Sequence, residues 1–290
     1  MANLKEIRSR IISVNSTKQI TSAMKMVSAS KLKRAQRKIE QMRPYSEKLS
    51  KIIQNVSSNA GETESAYGNE TESKKILIVP VTSNRGLCGA FNANVLKKVQ
   101  NIIIADYPHS DISVYGIGKK GNDGMKGRYK DDLNVLSASP SDVYDDLTFD
   151  NVAVIAESIM KAFTDGVFDK VIIVYNSFKN AAVQIVKEEQ FLPIELNAEN
   201  EGSSIDYIYE PNETEILEDI IPNSLKVQLF KAILDSNAAE HGARMTAMHK
   251  ATDNAEELLK DLKLTYNKLR QASITNEILE IVSGAEALAG

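Results

Sequence analysis

LKEIRSRIISVNSTKQITSAMKMVSASKLKRAQRKIEQM, residues 4–42, decides the architecture. Leu4, Ile7, Ile11 and Val14 recur in alternating steps of three and four. Leu32, Ala35, Ile39, Met42, Leu49, Ile53 and Val56 keep the same register, with Ser46 between them. This spacing predicts one helix over residues 1–56 with a coiled-coil seam. In its middle the register lands on Lys18, Thr21, Lys25 and Ser28, while apolar residues move to Ile20, Met24 and Val27. The seam is therefore expected to be interrupted there, with the apolar face turning. Such a helix is roughly 80 Å long, more than one domain of this size buries, so much of it is expected to project. Pro44 is the place where it can bend.

The other end of the chain answers this helix. Residues 211–290 are expected to be helical, with Pro222 separating a short helix (213–221) from a long one that runs to about Leu288. Leu225, Leu229, Ala232 and Ile233 begin an apolar stripe, and Leu258, Leu259, Leu262, Tyr266 and Leu269 continue it. Between them, SNAAEHGARMTAMHKA (236–251) is rich in small residues that let helices approach closely and is matched to Ser28, Ala29 and Ser30. Two long terminal helices with apolar seams are natural antiparallel partners. The last stretch, QASITNEILEIVSGAEALAG (271–290), is nearly all apolar after Glu280. Either it folds back into its own core or another protein covers it.

Between the helices, residues 57–74 are Ser/Gly/Glu-rich and read as a flexible loop. Residues 75–210 alternate strand and helix: KKILIVPVTS (74–83), a helix from about Phe91 to Ala105, DISVYGIG (111–118), the helix Val152–Phe163, DKVIIVYNSF (169–178) and AVQIVKEEQFLP (182–193). Buried β-branched runs alternating with helices predict a Rossmann-like α/β domain with a mainly parallel sheet and helices on both faces.

Composition narrows the function. The formal charge of the 290 residues is −4, but residues 1–55 carry thirteen Lys or Arg against three acids, leaving the remainder strongly acidic. A basic rod on an acidic body suggests an acidic partner for the rod. Nucleic acid is a weaker candidate, because SKLKRAQRK (30–38) has no aromatic residue and lies partly on the seam. No apolar run reaches 18 residues, and MANLKEIRSR reads as helix and not as a secretory signal or transit peptide. The single Cys88 fits a reducing compartment. His109, His241 and His249 are too scattered for a zinc site; His241 and His249 read as solvated side chains.

One motif resembles an enzyme's. Gly116, Gly118 and Gly121 satisfy G-x-G-x-x-G in VYGIGKKGNDG. A dinucleotide site needs that pattern after the first strand, with an acidic residue about 20 positions on. Here it follows the second strand, so the glycines are expected to serve turns. SNRGLCGAF (83–91) lacks the phosphate-loop pattern, and no catalytic triad or metal-ligand spacing is seen. Catalytic, cofactor-binding and metal-binding residues are all expected to be none.

Four motifs, in their order and spacing, carry a resemblance: EIRSRIISVNSTKQITSAMKMVSASKLKRAQ (6–36), SNRGLCGAFN (83–92), ARMTAMHKATDNA (243–255) and YNKLRQASITNEILEIVSGAEAL (266–288). Together they resemble the gamma subunit of rotary ATP synthases from end to end. The resemblance implies a non-catalytic central shaft, one copy per complex. It would enter a ring of alternating alpha and beta subunits, bind an epsilon subunit, and meet the membrane c-ring through its α/β domain. It implies that Met24 packs on the C-terminal helix near Arg270, Gln271, Thr275 and Glu277, which contact the ring. It implies that Lys31, Arg37 and Arg85 face acidic ring loops, and that Tyr207 and Glu210 touch the polar loops of the membrane ring. The start of the chain points to a bacterium and the cytoplasmic face of its plasma membrane, with peripheral attachment. Asn84 and Ala90 depart from the family's usual Asp and Gly. The absence of a cysteine pair excludes the thiol regulation of the chloroplast version. From a different class, a coiled-coil adaptor with a nucleotide domain is the alternative, separable by nucleotide binding to the isolated chain.

Overall fold

A computed structural model of the chain describes residues 4–59, 67–68, 74–125, 142–194 and 213–289. They fall into two compact units, Met1–Ser28 with Met245–Gly290, and Ala29–Arg244. Helix α1 (Leu4–Asn59) and helix α5 (Glu213–Ala289) contribute to both.

In the larger unit, strand β1 (Lys75–Pro80) is central. It pairs in parallel with β2 (Asp111–Val114), Ile76 opposite Ile112, and with β3 (Lys170–Phe178), Val79 opposite Ile173. Strand β4 (Gln184–Leu192) adds antiparallel to β3, giving the order β2-β1-β3-β4. Two of the three pairings are parallel, as the alternation of strands and helices predicts. The two-residue period divides the apolar runs between two faces. Leu77, Val79, Val171, Ile173 and Tyr175 meet α4 (Phe149–Thr164) and the start of α5 through Ile155, Ile159, Leu225 and Leu229. Ile76, Ile78, Ile172 and Val174 meet Val95, Val99 and Ile102 of α2 (Phe91–Ala105) and Met125 of α3 (Lys119–Met125). Each such aliphatic side chain contributes about 1.5–3 kcal/mol when fully buried.

Pro222 lies inside α5 and does not divide it, contrary to the two-helix expectation. A proline inside a helix costs about 3 kcal/mol. Burial of Ile221, Leu225 and Leu229 around it offsets that, and Asn223 Nδ2 donates to Asp219 O at 3.1 Å beside the interrupted ladder. The small residues that follow serve the sheet domain. Ser236 Oγ lies 3.5 Å from Val81 O, Ala239 and Ala243 pack on Cys88 and Phe91, and a side chain on Gly242 would press on Ala181. Ala29 and Ser30, expected to pack against this segment, are exposed. In the same unit Leu32, Ala35, Ile39 and Ile53 of α1 are buried. Lys38 Nζ donates to Leu147 O at 3.1 Å, and Arg43 Nη2 reaches Phe178 O and the Asp235 carboxylate. These cations of the basic rod are thus spent within the chain.

In the smaller unit the two helices run antiparallel. Lys18 Nζ is 3.2 Å from Glu256 Oε2, and one turn on, Thr21 Oγ1 is 2.8 Å from Thr252 Oγ1, so numbers rise on one helix as they fall on the other. The three-four register continues without a break: Ile7, Thr21 and Ser28 are buried, and Ile11, Val14, Lys18 and Lys25 are half-buried. The expected turn of the apolar face does not occur. Ile20 is 60 % exposed, Val27 is also exposed, and Met24 is half-buried. The polar positions stay in the seam because they find partners there: hydroxyl to hydroxyl, ammonium to carboxylate, and Ser28 Oγ to Met24 O at 2.7 Å. On α5 the seam follows Met248, Thr252, Ala255, Leu259, Leu262, Tyr266 and Leu269, while Leu258 faces outward. The stretch expected as a loop begins with helix, since α1 runs to Asn59; beyond that only the Tyr67–Gly68 turn and Lys74 are described.

Candidate functional site

Two surfaces stand out, one in each unit. The first is the end of α5. The cross-helix pairs Lys18–Glu256 and Thr21–Thr252 place Leu4, the first described residue of α1, opposite about residue 270. Past that point α5 has no facing helix among the described residues. Ile274, Ile278, Leu279, Ile281 and Val282 are all exposed, Ile281 at 71 %. Further back, Ile12, Ile20, Met26 and Val27 expose a second set of apolar side chains on the outer side of α1. Exposed apolar area of this extent on a helix marks an interaction surface.

The second surface is the turn from β1 to α2, and it is built from below. Arg244 Nη1 is 2.6 Å from Glu240 Oε1, one helical turn back on α5, and both side chains are buried. The other end of the same guanidinium donates to Arg85 O at 3.0 Å and Gly86 O at 3.3 Å. Ser83 Oγ donates to Arg85 O at 2.7 Å, and the Asn92 side chain closes on Ser83. Burial pushes the Glu240 carboxyl up, and the positive charges of Arg244, Lys31 and Arg85 pull it back. Lys31 and Arg85 are exposed, while Arg244 is buried beside Glu240. His241 beside them is pushed down to about 4, first by burial and then by Arg244 and Lys31, so it is neutral near pH 7. It is not the solvated side chain expected; its Nδ1 is buried without a hydrogen-bond partner among the described residues. His249 is exposed, 3.3 Å from Asp253.

The profile of the family described as ATP synthase matches residues 3–288. The ATP synthase gamma chains of Christiangramia forsetii and Flavobacterium johnsoniae are each 58 % identical to this chain, with all of both chains covered. The chain belongs to the ATP synthase gamma family. Among solved structures, the central stalk/c-ring of the Tetrahymena thermophila mitochondrial ATP synthase includes a chain 27 % identical, with a TM-score of 0.58 over 80 % of this chain and 99 % of that one. A chain of the Euglena gracilis mitochondrial ATP synthase, 21 % identical, shares the fold with a TM-score of 0.65 over 98 % of this chain and 94 % of that one.

Within this gamma-family fold the residues singled out by sequence fall into three groups. Arg270, Gln271, Thr275 and Glu277 are exposed on the unpaired end of α5, where Thr275 Oγ1 donates to Gln271 O at 2.9 Å. Lys31 and Arg85 are exposed and their charges both act on Glu240, while Arg37 is exposed six residues further along α1. Met24 is half-buried in the smaller unit, where the same cross-helix register sets it opposite about residue 249, about 20 residues along α5 from Arg270 and not beside it as expected. Tyr207 and Glu210 lie outside the described residues. Sequence reading missed Glu240 and Arg244. Their signal was an acid and a base one helical turn apart inside a small-residue segment that has no other reason to carry charge.

The glycine motif is consumed by the fold. Gly118 has φ +99, and a Cβ there would overlap Thr82 O; a Cβ on Gly121 would stand 2.8 Å from Thr82 Oγ1. Thr82 Oγ1 itself accepts from Gly121 N at 2.7 Å. On Gly116 a Cβ would overlap Asn122.

Proposed function

We propose that this chain is the central rotor shaft of an F-type ATP synthase, coupling ion-driven rotation of a membrane ring to conformational change at catalytic sites on a ring of alpha and beta subunits. It is itself non-catalytic. The observation that carries the reading is the end of α5, which runs about 20 residues past the described part of its partner helix with its apolar side chains bare. The central-stalk assignment of the Tetrahymena relative supports the same role. A sleeve formed by the ring would cover that end. Apolar burial gives roughly 25 cal/mol per Å² without directional bonds, so the tip can turn without breaking fixed contacts one by one. One asymmetric rod inside a three-fold ring holds three chemically equal sites in three different states.

In this reading residues 1–56 and 211–290 form the shaft, and 75–210 the domain toward the membrane. Arg270, Gln271, Thr275 and Glu277 contact the ring. Lys31, Arg37 and Arg85 meet acidic ring loops. Tyr207 and Glu210 touch the membrane ring, and an epsilon subunit binds alongside. The chain is held peripherally at the cytoplasmic face of the plasma membrane, through the complex alone; no described helix is long and apolar enough to cross a membrane. Co-purification tests the assignment. The chain, tagged in its native cell, is expected to bring out alpha, beta and epsilon subunits with one copy of itself. Recovery without alpha and beta would overturn the reading.

A further inference from the structure

Three elements of the larger unit meet at one arginine. Arg43 lies in α1; its Nη2 is 3.5 Å from Asp235 Oδ1 on α5 and donates to the carbonyl of Phe178, the last residue of β3, at 3.4 Å. Asp235 is closed off from solvent, with 5 % of its side chain exposed against 47 % for Arg43. Its Oδ2 accepts from Ser177 Oγ at 3.4 Å, while Oδ1 has the guanidinium as its neighbour and no hydrogen bond among the described residues. Apolar residues of similar volume in place of such a buried pair often hold a fold as well or better, so stability does not account for the charges. The place is also mechanically weak. Pro44 follows Arg43 inside α1, and without an N–H it removes the helical bond to Glu40 O. Two turns beyond Asp235 on α5, a Cβ on Gly242 would stand 3.3 Å from Ala181, so the turn between β3 and β4 lies against α5 as well.

We infer that Arg43 is a torque-bearing positioning residue: its guanidinium pins α1, at its proline, to Asp235 of α5 and to the end of β3, so that the sheet and the helix segments packed on it turn as one body. Apolar contacts have no direction, so helices held by them alone can slide under load. A guanidinium is a planar fork of donors, and charge-assisted contacts to two acceptors on two elements fix both distance and angle. The brace sits where the missing proline N–H leaves α1 least able to resist twisting on its own. This rests on the rotor reading, in which the sheet domain takes up the turning force from the membrane side. It adds which side chain carries that force across from the sheet to the shaft helices.

Torsional stiffness in single complexes tests the brace. The ring is fixed to a surface and a visible probe is attached at Ile104→Cys, a position 72 % exposed on α2. With ATP withheld, the angular spread of the probe measures how stiffly the sheet domain is tied to the held shaft. Arg43→Gln combined with Asp235→Asn removes the brace without leaving a buried charge unpaired. The spread is expected to widen at least about twofold, because apolar contacts alone resist sliding weakly. The melting midpoint is expected to stay within about 3 °C of the unvaried chain. Should the double variant melt much lower, Arg43→Lys decides, since it keeps a positive charge beside Asp235 but loses the fork that spans two acceptors. A wider spread at an unchanged midpoint supports the brace, and an unwidened spread overturns it. The rotor reading has its own outcome in the same apparatus. A probe that never turns while the unvaried complex hydrolyses ATP would sink that reading, whereas a turning probe with equal spread in all three proteins overturns the brace alone.

Discussion

Thr21 and Thr252 share a hydrogen bond, hydroxyl to hydroxyl at 2.8 Å, in the middle of a seam whose repeat elsewhere is mostly apolar. Each hydroxyl also donates to or lies near a carbonyl of its own helix, Lys18 O at 3.1 Å and Met248 O at 2.8 Å. With the Lys18–Glu256 pair one turn away, this makes a polar layer that fixes which residue stands opposite which.

The layer is expected to contribute register more than stability. Thr252→Val leaves Thr21 its bond within its own helix, so the single change is expected to cost about 0.5–1.5 kcal/mol. The double change Thr21→Val with Thr252→Val replaces both polar groups by apolar ones of the same shape and is expected to be near neutral. Denaturant unfolding of the four proteins of this cycle measures the coupling. A double variant as weak as the two single losses added together would show that the hydroxyls do not act as a pair.

Arg244→Met is expected to be severe, because it leaves Glu240 buried without its partner, a loss on the order of 3–5 kcal/mol. The sign of the pH effect follows from Glu240. Its folded pKa is already raised above the unfolded value, and removing Arg244 raises it further. A raised carboxyl favours the folded state below the unfolded pKa and loses that advantage as pH rises through the folded one. The variant is therefore expected to lose less stability at pH 4 than at pH 7. Adding Glu240→Gln is expected to recover part of the loss at pH 7. Thermal melts at the two pH values check both statements.

His241 gives the opposite slope. Its folded pKa is lowered from 6.5 to about 4. The stability it contributes is present above the unfolded value and is lost as pH falls through the folded one. The chain is expected to weaken between about pH 6.5 and pH 4, and His241→Gln is expected to flatten that part of the stability curve. Unfolding midpoints across the window test it, and identical slopes in the two proteins would contradict the assignment.

Gly118→Ala forces a side chain into a left-handed position against Thr82 O and is expected to cost at least about 2 kcal/mol. Gly166, at φ +72 with open space around it, is the control: Gly166→Ala is expected to cost only about 1 kcal/mol. Neither change is expected to alter nucleotide binding by the chain. NAD or ATP binding that vanished with Gly118→Ala would reinstate the motif as a site.

The three-four repeat made the antiparallel helix pair legible, and the β-branched runs did the same for the sheet. What escaped depended on contacts distant in sequence. Lys18 and Thr21 read as a break in the seam because a hydropathy pattern does not register a hydroxyl or a carboxylate waiting on the opposite helix. Ile20 and Val27 were then assigned to the vacated interface, although they face outward. Pro222 looked like a boundary because the burial that offsets its cost comes from the sheet. Where the seam stops, near residue 270, follows from the cross-helix register, which only the paired structure supplies. Glu240 and Arg244 looked like ordinary helix charges until the β1–α2 turn was laid over them.

The central claim is that this chain turns inside a static ring. Ile104 is 72 % exposed on α2, and Cys88, the only cysteine, is buried, so Ile104→Cys offers one site for a visible probe. With the ring of the purified complex fixed to a surface, addition of ATP is expected to drive the probe around continuously in one direction. A probe that stays fixed relative to the ring while the same complexes hydrolyse ATP would contradict the account.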